Sequence, residues 1–195
     1  MRYIKFLVLF LILAASCQEN ITMDSIPGYK LIRAFSNRIN VDTGLILSAY
    51  GINNALQKGS HVVNGTADFY VSYKLVKTRK DSVSLEEART LLVNIAESLH
   101  KEINSNQEIR PYLDFFPFPT DHIVVSLYFV DENQVGLGSG ISDVYFSKGK
   151  IEYERYEIEK YTGPNSAMGK HYVVHEESYE DALKKVKEQG VIAYY

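Results

Sequence analysis

Residues Ser84 to Asn104 constrain the fold more than any other stretch of this chain. Ser84 followed three residues later by Glu87 is a capping box, which satisfies orphan backbone N–H groups at a helix start. Leu85, Ala88, Leu92, Ile95, Leu99 and Ile103 then recur at steps of three and four, one apolar stripe on a helix. Glu86, Arg89, Asn94, Glu97 and Lys101 fall largely outside it. A helix of this length needs a broad apolar surface to lie on. The rest of the sequence supplies one in the form of strands.

Ala67 to Thr78 alternates, with Phe69, Val71, Tyr73 and Leu75 on one side and Tyr70, Ser72 and Lys74 on the other. Ile123 to Val130 is nearly continuously apolar, the pattern of a strand covered on both faces. Val144 to Phe146 and Ile151 to Tyr156 flank Ser147-Lys148-Gly149-Lys150, a hairpin turn. Tyr172 to Val174 adds a short strand, while glycines and the Asn53-Asn54 pair leave Leu45 to Leu56 ambiguous. Tyr29 to Arg38 reads as a shorter helix. A second capped helix opens at Ser178, with Asp181 as its third residue, and ends near Gly190. The expected fold is α+β: a mostly antiparallel sheet of about four to five strands, one long helix on a face, and a C-terminal helix. With 195 residues, no internal repeat and no linker, residues 28–195 form one domain.

The N-terminus is different in kind. Arg2 and Lys5 precede an uninterrupted apolar run from Phe6 to Ala15. Ten residues make a helix of about 15 Å, half the roughly 30 Å of a bilayer core, so residues 1–16 read as an export signal. Ala14-Ala15-Ser16-Cys17 follows, and Cys17 is the one cysteine of the chain. That count excludes an intramolecular disulfide framework and a multi-cysteine zinc site. The segment resembles the lipobox of bacterial lipoproteins, where a peptidase cuts before a cysteine that carries diacylglycerol. Ala14 stands where the commonest pattern has leucine, and Ala14 with Ser16 also suits ordinary signal peptidase. The resemblance implies lipid attachment at Cys17; the alternative is a secreted protein with a free N-terminal thiol. In lipoproteins of enteric bacteria an Asp after the cysteine retains the protein in the inner membrane, and Gln18 here points instead to an outer membrane. Residues 17–27 would form a polar tether of at most about 35 Å.

Cleavage would leave 179 residues, with 19 basic against 24 acidic side chains, a net charge of -5. Such a balance argues against nucleic acid as a partner and against retention on anionic lipid by overall charge. The stretches SLEEARTLLVNIAESLHKEIN, IRPYLDFFPFPT and HEESYEDALKKV together resemble a family of small exported proteins from chlamydia-like bacteria. About half of the chain carries the likeness, which implies a bacterial cell envelope setting and brings no activity or catalytic residue with it.

Chemistry-bearing motifs are sparse. His171 and His175 stand four apart, but the intervening Tyr172-Val173-Val174 favours a strand, where that spacing is about 13 Å and too long for one metal ion. Gly136-Leu137-Gly138-Ser139-Gly140 is followed by a strand pattern, whereas a phosphate-cradling loop needs a helix there. Nothing in sequence sets a histidine against Cys17, so it is not read as a nucleophile. Two surfaces remain. Tyr112-Leu113-Asp114-Phe115-Phe116-Pro117-Phe118-Pro119 is read first as closing the core and second as a recognition patch. Lys74, Lys77, Arg79 and Lys80 with Tyr70 and Tyr73 form a cluster read first as a solvated strand end and second as a contact for anionic lipid or polysaccharide. Asn20-Ile21-Thr22 and Asn64-Gly65-Thr66 match the glycosylation pattern, which matters only in a eukaryotic host.

These observations set the expectations: an exported, lipid-anchored envelope protein with a non-catalytic binding or structural role, held to a membrane by Cys17. Its further partner would be an envelope protein or polysaccharide, with no cofactor and no metal. The rival readings are an exported hydrolase with a site assembled from scattered residues, and a soluble secreted factor.

Overall fold

The computed structural model describes residues 27–53, 68–78, 81–137, 140–160 and 167–195. The signal, Cys17, nearly all of the tether, Asn20, Asn64, Arg79, Lys80 and the Gly138-Ser139 pair lie outside them. Helix α1 (Pro27–Thr43) is followed by β1 (Ile46–Asn53), β2 (Asp68–Val76) and the long helix α2 (Leu85–Ser105). Two short 3-10 turns lead into β3 (Ile123–Val130), then β4 (Asp143–Ser147), β5 (Lys150–Lys160), β6 (Ala167–Ser178) and α3 (Tyr179–Glu188). The α+β expectation holds, with six strands in one sheet ordered β1-β2-β3-β4-β5-β6. The additional strand is β1, where the glycines had blurred the pattern. Helix α1 runs further at both ends than Tyr29 to Arg38, and β6 is four times the length of Tyr172 to Val174.

Neighbouring strands are antiparallel except β2 and β3, which run parallel with Phe69 opposite Ile123 and Val76 opposite Val130. A parallel pair needs a crossover, and α2 is that crossover. Phe69, Val71 and Tyr73 of β2, Ile123, Val125, Leu127 and Phe129 of β3, Val144 and Phe146 of β4, and Ile151 and Tyr153 of β5 share one core with all three helices. The opposite face presents Tyr70, Lys74, Tyr128, Asp143, Tyr145, Glu152 and Glu154. The second face of β3 therefore departs from the two-sided coverage its composition suggests: Tyr128 is exposed there.

Local signals worked where expected. The Ser84 hydroxyl accepts from the Glu87 backbone N–H at 3.1 Å, and Ser178 accepts from Asp181 at the same distance. Lys148 and Gly149 both take positive φ, as a tight hairpin between β4 and β5 requires. Arg89 and Asn94, which the stripe left outside, are buried. The C-terminal residues cover that side of α2: Asn94 donates to the Val191 carbonyl and accepts from the Ala193 N–H, and Ser98 accepts from Tyr195.

Candidate functional site

The side of the sheet away from the helices carries a cleft of about 300 Å³, formed by β3, β4, β5 and β6. Register assembles it. The β4–β5 hairpin sets Asp143 opposite Glu154 and Tyr145 opposite Glu152, while β3 brings Tyr128 opposite Asp143. These residues point away from the helices because their chain neighbours, Val144 and Tyr153, fill the core.

His171 reaches the same face through an irregularity. Tyr153 pairs with His175, yet Glu154 pairs with Val173, so β6 carries one extra residue, Val174. A bulge of this kind reverses side-chain parity beyond it. His171 therefore packs on Tyr156 at the open face, and His175 packs on Tyr153 at the helix-side face. Both lie on a strand as expected, but the straight-strand geometry is corrected: the two imidazoles are on opposite faces.

The partners of His171 are carboxylates instead. Its Nδ1 is 2.9 Å from Asp143 Oδ2 and 3.5 Å from Glu154 Oε2. One donor atom from each residue lies within 4.8 Å of the others. An imidazole and two carboxylates are a chemically competent set for a divalent cation of the zinc or manganese type. Burial pushes the Asp143 carboxyl above its ordinary value, against the lowering effect of Ser142 and His171. Glu154 is raised by burial and by the neighbouring Asp143 charge. Tyr128 is raised by burial, then by Tyr70 and Asp143. Elsewhere cations pair with the acids: Lys150 with Glu152 and Glu176, Lys77 with Glu87, Arg38 with Glu102. Asp143 and Glu154 are approached instead by the His171 imidazole.

The order of the contacts bears on hydrolysis. Ser142 is buried and its hydroxyl donates to Asp143 Oδ2 at 2.6 Å. Asp143 thus stands between the serine and the histidine. A hydrolytic triad needs the imidazole in that middle position, where it can take the nucleophile's proton. This constellation holds a carboxylate; it does not activate Ser142.

The other candidates resolve separately. Gly136 bridges to Val130 and Gly140 to Val83, and β4 follows, so these two glycines stand before a strand and not at a helix start. Of the basic cluster, Tyr73 belongs to the core and not to the surface, because β2 alternates and Tyr73 shares its inward parity with Val71. Lys74 donates to Gln134, and Lys77 pairs with Glu87. In the aromatic segment only Phe118 is fully buried; Tyr112, Phe115 and Phe116 are exposed, so the segment closes the core through one ring. A second concavity of about 830 Å³ lies between the start of α2 and the C-terminal residues. Its polar groups largely serve one another: Lys77 pairs with Glu87, and the Gln189 amide donates to Glu86.

No protein-family model, no curated protein and no solved structure matches this chain.

Proposed function

We propose that this chain is an exported protein of a bacterial envelope, anchored to a membrane by lipid on Cys17, whose domain binds an envelope glycan without catalysing a reaction. The anchor reading is supported by the charged and apolar signal followed by the chain's one cysteine. Two or more acyl chains suffice for stable attachment. Within the domain one observation carries the binding role: Asp143 and Glu154 adjoin in a cleft, share His171, and are flanked by the exposed rings of Tyr128 and Tyr145. Ionised carboxylates are acceptor-only, so they call for a ligand rich in hydroxyl or ammonium donors. Exposed tyrosines offer an amphipathic flat surface and a π face for a cation. A polysaccharide containing free amino sugars meets both demands.

Calorimetric titration with glucosamine oligosaccharides tests the cleft. Binding to the wild type should be lost in Asp143→Asn/Glu154→Gln; no binding, or equal binding by both, removes the glycan reading. The anchor has its own test. Labelled fatty acid should enter the wild type and not Cys17→Ala, and equal labelling removes the lipoprotein reading.

A further inference from the structure

The end of the domain at which α1 begins also carries three exposed aromatic side chains, Tyr112, Phe115 and Phe116. Helix α1 begins at Pro27, and a side chain at Gly28 would run into Ile52 and approach Phe69. The Phe69 ring meets the Phe118 ring edge-on at 5.3 Å. Phe118 is the buried plug of the aromatic segment, so the tether's exit and that segment lie at one pole of the sheet. At this pole Tyr112, Phe115 and Phe116 are 40%, 44% and 47% exposed.

The segment is held firmly from behind. Asn104 accepts from the Phe118 N–H at 2.7 Å and donates to its carbonyl at 3.1 Å, and His100 Nε2 lies 2.8 Å from the same carbonyl. Phe115 packs on His122, which pairs with Asp68 at 2.9 Å. The Arg110 guanidinium lies 3.9 Å from the Phe116 ring centroid. Aromatic rings fixed in outward positions beside a cation suit the water–hydrocarbon boundary, where one part of the group is apolar and another is wet.

We propose that Tyr112, Phe115 and Phe116 form a membrane-contact face that seats the domain, tether end down, on the lipid bilayer. The proposal rests on the Cys17 anchor, which supplies most of the affinity; the aromatic face sets orientation. From Cys17 to Pro27 the chain spans at most about 35 Å, so the anchor keeps this pole at high local concentration beside the membrane. A consequence follows for the cleft. Ser147 marks the membrane-side end of β4, and Asp143 lies four residues, or about 13 Å, further along the strand. The cleft is then raised off the bilayer, open to a glycan.

The chain contains no tryptophan. Phe116→Trp therefore introduces a single reporter, and Val41→Trp introduces a control. Val41 is 82% exposed near the far end of α1, about 20 Å along the helix from Pro27. Both lipidated full-length variants are placed on phosphatidylethanolamine/phosphatidylglycerol vesicles. The indole at position 116 should shift to shorter wavelength and be quenched several-fold more by brominated acyl chains than the indole at 41. If the protein co-floats with vesicles while the indole at 116 stays as open to aqueous iodide as the one at 41, the aromatic face is refuted and the anchor stands. If the wild type takes up no fatty acid label and does not float, the anchor reading fails, and the orientation proposal falls with it.

Discussion

Arg89 of α2 and Glu177 of β6 meet at 2.6 Å, with side chains only 10% and 5% exposed. Tyr153 donates to the same Glu177 oxygen at 2.7 Å, and Lys185 pairs with the other at 2.6 Å. The group ties the long helix, the edge of the sheet and the C-terminal helix together. Burial alone would raise the Glu177 carboxyl, but the hydrogen bonds from Arg89, Lys185 and Tyr153 bring it down to about 2. Burial and the Glu177 hydrogen bond raise the Tyr153 phenol well above its usual range.

Removing one partner leaves the other charge buried. Glu177→Gln should destabilise the domain by about 3–5 kcal/mol at neutral pH. A carboxyl with a depressed folded pKa contributes stability above its unfolded value, here near 4.5, and loses it as pH falls through about 2. The gap in melting temperature between wild type and Glu177→Gln should therefore narrow as pH falls from 5 to 2. A constant gap would show that the carboxylate charge is not what holds the three elements together.

The open-face carboxyls should behave in the opposite sense. Asp143 and Glu154 are raised, so their ionisation costs stability at pH values above their unfolded range and costs nothing well below it. Asp143→Asn should raise the melting temperature at pH 7 relative to wild type, with the advantage shrinking at pH 3. Thermal scans at the two pH values check this, and an advantage equal at both would contradict it. Bound glycan should reverse the order at pH 7 by stabilising the wild type alone.

A glycine pair tests backbone geometry. Gly140 has φ +76°, and a Cβ there would strike the Val83 backbone carbonyl. Gly140→Ala should cost about 1–3 kcal/mol or more, read as a lower urea midpoint. Gly51 has open space around it and no positive φ, so Gly51→Ala should be neutral or stabilise by up to about 1 kcal/mol. Equal losses at both positions would overturn the distinction.

Ser36 of α1 and Tyr73 of β2 share a buried hydrogen bond of 2.8 Å. Burial pushes the Tyr73 phenol up to about 12 despite that bond. Tyr73→Phe should cost about 1–3 kcal/mol by leaving the serine hydroxyl buried without its partner. In Ser36→Ala/Tyr73→Phe the loss should be smaller than the sum of the single losses, measured by denaturant unfolding in a double-mutant cycle.

The candidate site is partly legible in the sequence. The turn at Ser147 to Lys150 fixes the hairpin register, and counting outward from it sets Asp143 against Glu154. The third member, His171, stands out as a residue but not as the neighbour of these two. Positions 143, 154 and 171 follow no helical or strand period, and the bulge at Val174 has no marker such as glycine. The spacing of His171 and His175 marks them as a pair, and the bulge sends His175 to the other face.

Residue order by itself determined the features whose cause is local. The span and cap of α2, the cap of α3, the β4–β5 turn and the inward parity of β2 each depend on groups a few residues apart. Only the tertiary structure decided the parallel pairing of β2 with β3, the burial of Arg89 and Asn94 beneath distant elements, and the face on which His171 emerges. Those outcomes depend on which segments meet across the sheet. Strand pairing must satisfy backbone hydrogen bonds and core packing together, and one extra residue in β6 then reverses which side chains reach the cleft.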